Sequence, residues 1–167
     1  MSARPELELE LEERAEQFAG GIYGTVVVAG LLVATGPDDD PEVWPTALWV
    51  VVTVVVFWLA HSWARTMARR ATGLADRRRE MRESLARHWP LVQSAFPPMV
   101  VMLIASALGA SDETAILIAA CSCIVLLAAW GVAVGRREQE SLGGIVATAA
   151  GSALLGALMV LLKVVIH

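Results

Sequence analysis

The polar and apolar positions of this chain fall into long blocks. Apolar runs cover approximately 18–36, 44–64, 89–110, 114–135 and 142–166, with polar segments between them. A helix needs roughly 20 mostly apolar residues to cross the hydrocarbon core of a bilayer, and all five runs qualify. Their residues do not alternate one by one, so strands are not indicated. Unpaired backbone groups are costly in lipid, so each run reads as a helix. The pattern predicts an all-α polytopic membrane protein with five transmembrane helices. A single membrane domain spans 12–167, preceded by an acidic tail at 1–11.

Composition strengthens this picture. The chain has 167 residues, 56% of them hydrophobic, where a soluble domain has about 45–50%. The mean hydropathy is +0.60. Little sequence is left for a soluble domain. The first 17 residues carry Glu6, Glu8, Glu10, Glu12, Glu13 and Glu16. A cleavable signal peptide needs a basic start, so none is expected. This stretch reads either as an acidic lead-in to the first helix or as a disordered tail.

Charge sets an orientation. The loop 65–88 holds Arg65, Arg69, Arg70, Arg77, Arg78, Arg79, Arg82 and Arg87, most of the positive charge of the chain. By the positive-inside rule it faces the cytoplasm. Arg136 and Arg137 then fall on the same side, and the loops at Asp38–Glu42 and Asp112–Glu113 fall outside. The N-terminus is expected inside and the C-terminus outside, in a bacterial-type inner membrane. The net charge of −4 adds little. The basic loop suits anionic lipid headgroups, and Asp76, Glu80 and Glu83 within it also suit a salt-bridged helical surface. Nucleic acid is not needed to explain it.

The first span is rich in small residues. Gly21, Thr25, Ala29 and Leu32 share one helix face, with Ile22, Val26 and Val33 opposite. Such a face permits close helix packing or lines a narrow path. The loop Gly36 to Glu42, with Asp38, Asp39, Asp40 and Glu42, is a solvated acidic turn or an outer vestibule that gathers cations. Trp44 and Trp49 fit the outer aromatic belt. His61 is an ionisable side chain near the inner end of the second span, at the predicted depth of Arg14. It is either an interfacial histidine bonded to backbone or part of a functional network.

In the third span Pro97 and Pro98 remove two backbone donors, so a kink with freed carbonyls near Gln93 and Ser94 is expected. The fourth span is plain and is assigned a structural, lipid-facing role. The fifth carries Gly144, Thr148, Ser152 and Gly156 at four-residue spacing, a packing pattern whose partner lies in this chain or another. Cys121 and Cys123 read as small buried hydrophobes. No catalytic set, metal-ligand cluster or phosphate loop is apparent in the sequence, so neither an enzyme nor a cofactor is expected.

Arg14-x-x-x-Phe18-Ala19-Gly20-Gly21 and Trp58-Leu59-Ala60-His61 together resemble the inner ends of the first two helices of the transmembrane-protein-175 family of potassium channels. The Phe-Pro-Pro of the third span is a weaker echo. The resemblance covers roughly residues 14–65. It implies a homo-oligomer, a tetramer in bacterial members, whose first helices surround a pore lined here by Gly21, Thr25, Ala29 and Leu32. It further implies that Arg14, Trp58 and His61 form a polar network anchoring the first helix. Monovalent cations would be the transported species. Two departures stand out: Ala19-Gly20 replaces the Ser-Asp of the motif, and five spans replace six. The function expected is passive conduction of a cation such as potassium. The alternatives are a non-conducting membrane assembly or accessory protein, and a small-molecule transporter with a pocket near the Pro97-Pro98 kink.

Overall fold

The computed structural model describes residues 3–34, 42–71 and 77–166. These form seven helices: α1 (Ala3–Ala34), α2 (Val43–Ala71), α3 (Arg77–Arg87), α4 (Trp89–Gln93), α5 (Phe96–Ala107), α6 (Asp112–Arg137) and α7 (Leu142–Ile166). No strand occurs among the described residues. Five segments are long and apolar enough to cross a membrane: Arg14–Ala34, Val43–Ala68, Met81–Ala107, Asp112–Arg137 and Leu142–Leu161. The third is the stack of α3, α4 and α5. The protein is thus a multi-pass membrane protein by the length and composition of its helices. α1 begins at Ala3, so the acidic lead-in continues the first helix.

The surface supports the same conclusion. Leu48, Val52, Val56, Val100, Ile104, Val125 and Leu158 are all large, apolar and exposed. In water such a surface would be an aggregation patch. In lipid it matches the solvent. Trp44 and Trp63 are both exposed on α2. They lie nineteen residues apart, about 28 Å at 1.5 Å per residue, close to the thickness of a hydrocarbon core.

The core sits between α1, α2, α5 and α6. It joins Val28, Ala29 and Leu32 to Val50 and Val54, Met99 and Met102, and Ala115, Ile116, Ala119 and Cys123. Small residues set the closest approaches. A Cβ at Gly24 would fall 2.6 Å from the Leu91 carbonyl oxygen, so α1 crosses α4 backbone to backbone there. A Cβ at Gly131 would fall 2.7 Å from Ala149 Cα and from the Thr148 carbonyl oxygen, and one at Gly156 would meet Ile124 and Leu127. The fifth-span pattern Thr148, Ser152 and Gly156 therefore has its partner, α6, in the same chain. α7 otherwise leaves Val146, Leu154, Leu158 and Leu161 uncovered.

Helix ends follow local chemistry. Ser111 caps α6, its hydroxyl accepting from Thr114 N–H at 3.3 Å. Asp112 and Glu113 stand in the first turn of α6 and Arg136 and Arg137 in the last, each sign favourable to the helix dipole. Asp112 also accepts from Val43 N–H at 3.1 Å, tying the start of α2 to the start of α6. α5 ends on Gly109 at φ 91°, and Ala110 N–H reaches back to the Ala105 carbonyl at 3.1 Å. This six-to-one closure needs a left-handed residue at that point.

The third span breaks at Ser94–Ala95, one turn before the proline pair. Pro97 and Pro98 occupy the first turn of α5, where a missing N–H costs little. The broken ladder is repaired locally: Ser94 Oγ–H donates to the Leu91 carbonyl at 2.7 Å and Ala95 N–H to Val92 at 3.1 Å. The second break, at His88, precedes Pro90 in the first turn of α4.

Candidate functional site at the arginine end of the bundle

Successive spans run in opposite directions, which gathers the start of the first, the end of the second, the start of the third and the end of the fourth. Arg14, Arg65, Arg82, Arg87, Arg136 and Arg137 thus come to one end of the bundle. Glu42, Asp112 and Glu113 come to the other. Asp38, Asp39 and Asp40 lie outside the described residues. Glu42 is exposed, and its carbonyl accepts from Thr46 N–H at 3.1 Å as α2 begins.

The four residues expected to line a pore all point into the protomer. Thr25, Ala29 and Leu32 are 0% exposed. Gly21 lies under the indole of Trp130, whose Cζ2 would stand 2.5 Å from an added Cβ. The Thr25 hydroxyl donates to the Gly21 carbonyl at 2.8 Å, which satisfies it within its own helix. Ala29 and Leu32 share the core cluster with Ala115, Ile116, Ala119 and Cys123. The face is buried within the protomer, in part against α6.

Polar side chains converge where α1, α2, α3 and α4 meet. Glu16 of α1 stands 3.7 Å from Arg65 of α2 and 3.6 Å from Arg87 of α3. One carboxylate is thus shared by two guanidinium groups from two other helices. The rings of His61 and His88 meet edge to face at 4.7 Å between centroids. His88 Nδ1 is 2.7 Å from the Ser84 carbonyl oxygen, which can only accept, so Nδ1 carries a proton. His88 Nε2 is buried and has no hydrogen-bond partner among the described residues. His88 also lines a cavity of about 20 Å³ with Glu16, Arg65, Thr66, Glu83, Ser84 and Arg87, room for one water molecule. Trp58 buttresses the cluster, its indole N–H donating to the Leu85 carbonyl at 3.0 Å and its ring meeting Trp89 edge to face at 5.5 Å.

The structure thus brings His61 and Trp58 to the arginine end of the bundle, with Glu16 of α1 beside His61. Arg14 is two positions away on α1 and looks elsewhere. It lines a groove with Gln17, Phe18, Gln93, Trp130 and Arg137. His88 and Arg87 fall in the basic loop 65–88 by sequence pattern, and the structure places both in this cluster. The available signal was Trp89-Pro90, which marks a helix start and so puts His88 at a cap. Among the described residues no three His, Cys, Asp or Glu side chains converge as a metal set. Cys121 is exposed and Cys123 is buried, and neither is bonded to the other.

The cluster is suited to holding four helices together and to ordering a water molecule among charges. Among the described residues its serine and threonine hydroxyls bond to backbone carbonyls and not to a histidine ring. The chain matches no family model, no curated protein and no solved structure.

Proposed function

We propose that this chain is a non-conducting assembly protein of the bacterial inner membrane, acting as a homo-oligomer. The observation that carries this reading is the full burial of Thr25, Ala29 and Leu32 inside the protomer. Small residues on α1 and α7 then serve helix packing, as small-residue faces do generally in lipid. The arginine end lies in the cytoplasm by the positive-inside rule, with the C-terminus outside. The decisive test is potassium flux into liposomes holding the purified protein, together with its mass in lipid nanodiscs. Flux equal to that of empty liposomes and a mass above one chain are expected. A strictly monomeric protein would remove the assembly role. A flux abolished by Thr25→Leu would restore a pore along α1.

Cation conduction is the second reading. It is favoured by Trp58 and His61 standing behind the inner end of α1, where the resemblance to the transmembrane-protein-175 channels puts an anchoring network. It requires α1 to part from α6 in an open state. A cross-link that locks α1 to α6 would then block the flux.

A further inference from the structure

The arginine end holds two clusters of opposite character. In the first, Glu16 compensates Arg65 and Arg87. In the second, on the other side of α1, Arg14 and Arg137 flank a groove of about 560 Å³ with no acidic side chain among the described residues that line it. Arg14 makes no ion pair among the described residues. The Arg137 guanidinium lies 4.5 Å over the Phe18 ring, a cation–π contact that holds it at the groove. Gln17 and Gln93 add amide donors at the rim. The Trp130 indole N–H is buried and has no acceptor among the described residues. The floor is aromatic, Phe18 meeting Trp130 edge to face at 5.5 Å.

Depth identifies the occupant. Arg14 opens the first span and Arg137 closes the fourth, so both heads sit at the membrane boundary. Trp130 lies seven residues inside Arg137, about 10 Å deeper along the helix. The groove is cationic at the headgroup level and apolar one to two turns below. A soluble anion would use only the upper part. A phospholipid uses both.

We propose that this groove is a binding site for one anionic phospholipid, its phosphate held between Arg14 and Arg137 and its upper chain lying on Phe18 and Trp130. Guanidinium groups suit phosphate because they offer paired donors in a plane. The site is separate from the loop 65–88, whose Arg65 and Arg87 are engaged by Glu16. It does not depend on whether the protein conducts.

The test is native mass spectrometry of the full-length protein with phosphatidylglycerol and phosphatidylcholine supplied together. One phosphatidylglycerol should be retained in preference to phosphatidylcholine. Each guanidinium near the surface is worth about fivefold in affinity for an anionic lipid. The variant R14Q/R137Q should therefore lose roughly thirtyfold. The variant R82Q/R136Q removes the same charge from exposed positions outside the groove and should retain the lipid. Equal loss in both variants, or no preference for phosphatidylglycerol, would overturn the proposal. Displacement of the lipid by millimolar glycerol 3-phosphate would also overturn it and point to a soluble phosphate compound.

Discussion

Glu16 ties α1 to α2 and α3 at the arginine end through its pairs with Arg65 and Arg87. Replacing it with glutamine removes the carboxylate that Arg65 and Arg87 share and leaves Glu83 as the acidic side chain in their cavity. Both pairs are partly exposed, so Glu16→Gln should cost only about 1 kcal/mol, read as a lowered thermal midpoint in detergent. Arg65→Gln should cost less, because Arg87 keeps the carboxylate. Gly24 is the harsher site: Gly24→Ala drives a methyl into the Leu91 carbonyl, an overpacking of roughly 1–3 kcal/mol. Gly109→Ala should cost about 1 kcal/mol for a different reason, the left-handed backbone at φ 91°. These effects show what the sequence could and could not tell. The depth of Arg14 and His61 follows from topology. Which α1 residue turns toward His61 does not. Arg14 and Glu16 are two positions apart and point to opposite sides of the helix, so the partner depends on helix rotation, which only packing fixes.

At the scale of elements, the five spans were legible because lipid writes its requirement into composition. Each crossing needs a long apolar run, and turns of polar residues separate the runs. The break in the third span was legible as well, through Pro97 and Pro98, and it falls at Ser94–Ala95, beside the expected Gln93 and Ser94. The prolines themselves settle into a helix start. The destination of the α1 face was not legible, since glycine, threonine and alanine serve a narrow path and a tight seam equally well. The α6–α7 seam offers a direct check. Gly131→Val should force the two helices apart, where a Cβ already falls 2.7 Å from Ala149 Cα. Gly151→Val on the same hairpin has open space around it and should be tolerated. Limited proteolysis of the loop between α6 and α7 would separate the two outcomes.

For the whole molecule, the arginine asymmetry predicts a fixed orientation. Fusion of alkaline phosphatase to the C-terminus should give active enzyme on the periplasmic side of the membrane, and a fluorescent protein there should stay dark. The reverse result would invert the assignment of the two ends. The burial of α1 has a further consequence, in the order of synthesis. α1 leaves the ribosome first, yet α6, which covers its Thr25 face, ends at Arg137. A chain released after α2 or after α5 holds that face open to lipid or to the insertion machinery. Stepwise truncations should therefore be degraded rapidly until α6 is complete, and cross-links from Thr25 to the insertase should vanish at that same length.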